Sequence, residues 1–188
     1  MYSHSFAYPG PKNQPPPLLI CNDLVADGHT TEEPTSWRTC IHNSALVLAS
    51  ARKHGWNIIH VYRQDRPPNP IASLRPQPEE PVFQCRGPSA LSSSAVRDFL
   101  VMSRTEEIIL IGRSLVPDCL ATAIAAADLG VWVKLVTDAV SHPKADTEKA
   151  TLSVAQAALR LIPQFATLTS TAKLLQLQTG LSLCASGT

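Results

Sequence analysis

The segment from Ile108 to Asp138 constrains this chain more than any other. An apolar run, Ile108-Ile109-Leu110-Ile111, stops at Gly112, and the loop Arg113-Ser114-Leu115-Val116-Pro117 leads to Asp118-Cys119 at the head of an alanine-rich stretch closed by Gly130. A second apolar run, Val131 to Val136, stops at Thr137-Asp138. The spacing predicts strand, loop, helix and strand. A crossover of this length lays its helix on the sheet and leaves the two strands parallel. At such strand-to-helix turns, backbone N–H groups and the positive end of the helix dipole converge, so the acid and thiol placed there are candidates for chemistry.

The rest of the chain repeats the alternation. Leu18-Leu19-Ile20-Cys21 is apolar on both faces, as a central parallel strand requires, and ends in Asn22-Asp23. Val25 to Ser36 reads as loop; Ile41, Ala45, Leu48 and Ala49 then recur at helical spacing up to Gly55. Asn57 to Tyr62 is a strand, Arg66 to Pro81 a proline-rich excursion, and Pro81 to Cys85 a short edge strand. Val96, Phe99 and Leu100 mark a helix from Ser92, while Val154, Ala158, Leu159 and Ile162 mark another closed by Pro163. Phe165 to Leu168 is a last strand, and Ser170 caps a terminal helix through Leu177. The expectation is an α/β fold with a parallel sheet and helices on both faces. Prolines make residues 1–17 an extended arm, 18–178 form one domain, and 179–188 form a flexible tail.

Composition narrows the function classes. With 188 residues, 44% hydrophobic and 16% charged, the chain can bury one substantial core. Sixteen Lys and Arg balance fifteen Asp and Glu without a basic block, so no nucleic-acid surface is expected and small molecules are the expected partners. No apolar stretch reaches the roughly 18 residues of a membrane span, and the polar N-terminus has no signal-peptide core, so a cytoplasmic protein without membrane contact is expected. Cys21, Cys40, Cys85, Cys119 and Cys184 are odd in number and form no CxxC pair, which argues against a disulfide framework or zinc site. They read as buried thiols, and no metal or cofactor is expected.

Asp23 ends one strand and Cys119 follows the end of another, so both can open onto the carboxyl edge of the sheet. A carboxylate beside a thiol suits a cysteine amidohydrolase: the acid takes the thiol proton, the thiolate attacks a carbonyl, and backbone N–H groups hold the oxyanion. Each residue also has a plain reading. Asp23 can bond to loop amides, Asp118 can be an N-cap, and Cys119 can be a small buried hydrophobe. His60, inside a strand, reads as a core histidine; His29, in the loop after Asp23, is freer. Trp37, Trp56 and Trp132 are too dispersed for a stacking platform and read as packing residues.

Several stretches together resemble the isochorismatase-like hydrolases. Leu18 to Leu24 is similar to their LLVIDMQ strand, with Asp23 on the catalytic aspartate, and Ala51 to Val61 is similar to their "AR..G..VIHV". Ser89-Ala90-Leu91 is similar to "SAF", and Gly112, Thr122, Ala123, Ala126, Gly130, Asp138 and Ala139 match "G..T..CV..TA..A...G..V..V.DA". The resemblance covers about residues 18–177. It implies a three-layer fold with a six-stranded parallel sheet, a homo-oligomer, and hydrolysis of amides, ureas or a vinyl ether by Asp, Lys and usually Cys.

The chain departs from that pattern at two of the three positions. Counted from Gly112 or back from Gly130, the family's cysteine falls on Asp118, and Cys119 occupies the next position. One residue of helix turns a side chain by about 100°. The family's lysine falls on Cys85, with Arg86 adjacent, and its late-helix histidine has Gln156 as the nearest polar candidate. The expectation is a hydrolase of a small amide, carbamoyl, related C–N or vinyl-ether substrate, with Asp23, Cys119 and Asp118 catalytic and Cys85, Arg86 and Arg113 binding substrate. The alternative is a catalytically lapsed homologue that keeps the pocket as a binding or assembly module. A nucleotide-binding doubly wound domain is a weaker third reading, because the loop from Gly112 lacks GxGxxG spacing.

Overall fold

A computed structural model of the chain describes residues 15–26, 35–65, 68–141 and 148–177. Most of the arm expected over 1–17, the tail over 179–188, His29 and Cys184 lie outside the described residues. Six parallel strands form one sheet: β1 Leu18–Asn22, β2 Asn57–Arg63, β3 Val82–Cys85, β4 Glu107–Gly112, β5 Trp132–Val140 and β6 Ala166–Thr169, in the order β3-β2-β1-β4-β5-β6. Helices α1 Thr35–Lys53, α2 Ser94–Met102, α3 Leu120–Asp128 and α4 Glu148–Leu159 connect them, and α5 spans 171–177. None is long and apolar enough to cross a membrane.

The apolar runs sit where their composition sends them. Every residue of β1 is buried, and alternate side chains enter different cores. Leu18 and Ile20 meet the inner faces of α2, α3 and α4 through Val96, Leu100, Ala123, Ala126, Ala155 and Leu159. Leu19 and Cys21 meet α1 and α5 through Cys40, Val47, Leu48, Ala51 and Leu174. That is a three-layer α/β sandwich with helices on both faces of the parallel sheet.

Three local readings change. The deepest line of α1 runs through Cys40, Ser44, Val47, Leu48 and Ala51, rotated from the expected Ile41, Ala45, Leu48, Ala49, whose last member is exposed. The rotation seats Ser44, whose hydroxyl donates to the Ala139 carbonyl at 3.2 Å. Strand β5 does not stop at Thr137-Asp138 but runs to Val140, because both polar side chains find partners on β6 and α5. Thr137 Oγ1 donates to the Thr169 carbonyl, and Asp138 Oδ1 accepts from Thr171 N and Oγ1 at 2.8 and 2.9 Å. Finally, α3 begins at Leu120; Asp118 and Cys119 belong to a wider turn, Leu115–Cys119, closed by Cys119 N donating to the Ser114 carbonyl at 3.0 Å and containing a cis Val116–Pro117 peptide.

The topology locates a crevice. After β1 the chain leaves toward α1 on one face, and after β4 it leaves toward α3 on the other, so the loops diverge beyond neighbouring strands. Open parallel sheets bind ligands at such a switch point. The two strands also approach closely there. Asn22 pairs with Gly112, and a Cβ built on Gly112, whose φ is +152°, would lie 2.2 Å from the Asn22 carbonyl oxygen. Only glycine fits that position.

Candidate active-site crevice

Asp23 follows β1 with φ +54° and is 2% exposed. Its N–H donates to the Val61 carbonyl at 2.7 Å, and its Oδ1 accepts a long bond, 3.4 Å, from the backbone N–H of Arg63 at the end of β2. The carboxylate is therefore held at the carboxyl edge of the sheet beside the chain leaving the neighbouring strand. Asp118 reaches the same place from the turn before α3. Its Oδ1 lies 3.7 Å from Arg63 Nη1, and its side chain is 14% exposed.

Arg63 joins the two acids, and sequence reasoning missed it. As the last residue of β2 it looks like an ordinary surface charge, yet it continues the row of Ile59 and Val61, which face the core under α2, α3 and α4. Its register partner is Cys85, the residue at the expected lysine position. Paired residues of parallel strands point to the same face, so Cys85 and Arg63 stand side by side. Cys85 is 2% exposed. Burial pushes its thiol pKa up; the Arg63 guanidinium opposes this, and the carboxylates of Asp23, Asp118 and Asp65 reinforce it.

The remaining candidates go elsewhere. Cys119 is fully buried in the core with Leu115, Ala123 and Val140, and its Sγ lies 3.8 Å from the Arg113 carbonyl. Desolvation pushes its pKa well above the ordinary thiol range, and neighbouring Asp118 adds to the effect. A thiol so placed resists ionisation, and the thiolate is the nucleophile. Arg86 is exposed and donates from Nε to Gln64 Oε1 at 3.0 Å. Arg113 lies over the Trp37 ring, 5.4 Å from its centroid, while its N–H donates to the Asn22 carbonyl at 2.8 Å. The structure thus gathers Asp23, Asp118 and Cys85 around Arg63, and turns Cys119 into the core.

Asn22 adds a buried, weakly engaged donor. It is 1% exposed, shares the face of Leu18 and Ile20, and its Nδ2 meets no nitrogen or oxygen acceptor, only the Cys119 thiol beside it. Buried amide groups without a nitrogen or oxygen acceptor are uncommon and mark places where a ligand or water can complete the set. Among the described residues, no group of three or more His, Cys, Asp or Glu side chains could hold a metal. The arrangement offers two carboxylates for proton transfer and, from Arg63, a cation for developing negative charge.

The second buried polar group stands apart from the crevice. His60, fully buried in β2, faces Glu80 Oε2 across 2.9 Å, and Arg52 of α1 grips the same carboxylate from Nε and Nη2 at 2.7 and 2.9 Å. The Gln77 N–H adds a further bond at 3.0 Å. His60 Nδ1 has no partner, so the neutral ring with its proton on Nε2 fits the site, and burial lowers its pKa. This network ties the excursion before β3 to α1. It borders a cavity of about 410 Å³ at the other end of β2, with Trp56, Asn57 and Ile58.

Comparison with known proteins agrees with this architecture. The isochorismatase domain model matches residues 18–173. A comparison with curated protein sequences finds no match. Among solved structures, an isochorismatase-like hydrolase from Alkaliphilus metalliredigens superposes with a TM-score of 0.73 at 15% identity, covering 87% of this chain and 99% of its own. An isochorismatase from Pseudomonas putida gives 0.70 at 23% identity, covering 85% and 93%. N-carbamoylsarcosine amidase from Thermoplasma acidophilum gives 0.67 at 16%, covering 83% and 96%. At these identities the structural likeness speaks for the fold.

Proposed function

The chain belongs to the isochorismatase family, and from that premise we propose that it hydrolyses a small amide, carbamoyl or vinyl-ether substrate with carboxylates rather than a thiol. The observation that carries this reading is the placement of Asp23 and Asp118 at the switch point, both reached by Arg63, while the Cys119 thiol packs in the core. In an amide, one carboxylate takes a proton from water as the oxygen adds to the carbonyl carbon. The other carries the proton that passes to the leaving nitrogen as the C–N bond breaks. Water is consumed, and acid and amine are released. In a vinyl ether the same proton goes to the alkene carbon, water adds to the resulting cation as the other carboxylate takes its proton, and the hemiketal collapses with C–O cleavage to a carbonyl compound and an alcohol.

We keep the expected organisation around this site, a single domain over 18–178 in a cytoplasmic homo-oligomer; size-exclusion chromatography with light scattering tests the assembly. The reading of a lapsed homologue draws on a specific observation too, the buried Cys85 where the family's lysine is expected. One experiment separates the two. The purified chain is incubated with nicotinamide, N-carbamoylsarcosine, N-carbamoylglycine and isochorismate, and ammonia and pyruvate release are followed. Turnover of any compound, lowered at least 100-fold by Asp23→Asn, supports the hydrolase. No turnover of the panel, or turnover indifferent to Asp23→Asn, overturns it.

A further inference from the structure

We infer that Arg63 is the residue that binds the substrate oxygen, a cation supplied from the end of β2 in place of one at the end of β3. This rests on the crevice being the site of reaction. Geometry distinguishes Arg63 from the other charged groups. Arg52 spends its guanidinium on Glu80 at 2.7 and 2.9 Å, and Lys134 spends its ammonium on Glu107 at 2.8 Å. Arg63 makes ion pairs at 3.7 Å to Asp118 and 3.6 Å to Asp65, both too long for hydrogen bonds. Its side chain is 25% exposed. A guanidinium carries five N–H donors in a planar fork, so one held between two acids at these distances is positioned while its donors stay available.

Its position suits an oxygen acceptor. The Arg63 backbone N–H points to Asp23 Oδ1, so the residue that would receive the oxygen also fixes the carboxylate on that edge. Asn22, just before Asp23, stands on the sheet face that Val61 and Arg63 share. A carbonyl oxygen entering the crevice meets the Arg63 fork in partial shelter from water. Hydrogen bonds to the charge that grows on that oxygen are stronger there than in bulk solvent. Arg63 then acts in the transition state more than in ground-state binding, which predicts a loss in kcat and little change in KM.

Two measurements test this. The Nε–Hε signal of Arg63 in ¹⁵N-arginine-labelled protein, assigned with Arg63→Lys, is titrated with acetate, whose oxygens mimic the substrate's. A saturable shift of that signal, retained in Asp23→Asn, supports the assignment; a signal that stays still while acetate shifts other arginines, or no shift at all, overturns it. For any panel compound turned over, Arg63→Gln should lower kcat about 100-fold with KM within threefold, Arg63→Lys should restore part of it, and Arg160→Gln should match the parent. A kcat for Arg63→Gln within threefold of the parent sinks the inference. Activity that vanishes in Asp23→Asn but not in Arg63→Gln leaves the hydrolase reading standing alone. An acetate shift without turnover leaves Arg63 as an oxygen receptor in a crevice that does no hydrolysis.

Discussion

Replacing Glu80 with Gln removes the charge on which Arg52 and His60 converge, and its cost follows from the geometry. Burial alone would raise the Glu80 pKa, but the hydrogen bonds from Arg52, the Gln77 N–H and His60 outweigh it and bring the carboxyl from 4.5 down to about 2. At about 1.4 kcal/mol per pH unit, ionised Glu80 contributes on the order of 3 kcal/mol at pH 7. Because the folded pKa lies below the unfolded one, this contribution is present above pH 4.5 and is lost as pH falls toward 2. The gap between parent and Glu80→Gln should therefore be about 3 kcal/mol at pH 7 and about 1.5 kcal/mol at pH 3. The folded pKa of His60 is lowered by burial and held up in part by Glu80, so its contribution below 6.5 would differ between the two proteins; both therefore carry His60→Gln, and the difference between their curves reports Glu80. Urea unfolding followed by tryptophan fluorescence at pH 7, 5, 4 and 3 measures it. A gap that stays constant over this range would refute the reasoning, as would one below about 1 kcal/mol at pH 7.

Two further substitutions test the scaffold. Gly112→Ala should cost about 3 kcal/mol or more in urea unfolding, since its Cβ would collide with the Asn22 backbone at 2.2 Å in a φ that side chains avoid; a loss below about 1 kcal/mol refutes the close approach of β1 and β4. Asp138→Ala should cost about 1–3 kcal/mol, because it strips two partners from Thr171, itself 3% exposed, and frees the start of α5; hydrogen exchange confined to 171–177 is the readout, and unchanged protection there counts against it.

What the sequence made legible follows the physics of each segment. β1 and β4 were readable because strands buried on both faces need continuous apolar runs, and Leu18 to Cys21 and Ile108 to Ile111 have no other use. The end of β5 was not, because Thr137 and Asp138 carry polar side chains whose partners, Thr169 and Thr171, lie more than thirty residues on. Arg52, His60 and Glu80 likewise meet only after β2 and its flanking segments fold together; no local spacing announces them. Arg63 hides differently. A cation at a strand end has many innocuous explanations, and only the pairing with Cys85 places it in the crevice.

The one-residue offset between Asp118 and Cys119 has a physical outcome that can be reversed. The turn before α3 sends residue 118 to the crevice, 3.7 Å from Arg63, and residue 119 into the core. A thiol at 118 would keep the crevice position, beside a guanidinium and just before the nine-residue α3, both of which favour a thiolate. A thiol at 119 also precedes α3, but it lacks the guanidinium and is desolvated. In Asp118→Cys, iodoacetamide at pH 7 should therefore modify residue 118 at least tenfold faster than Cys119, read by peptide mass spectrometry under native conditions. In the parent, Cys119 should react only as fast as the fold opens. Equal rates at the two positions, or fast modification of Cys119 in the parent, would mean that the turn presents the thiol after all and that the carboxylate mechanism has lost its structural ground.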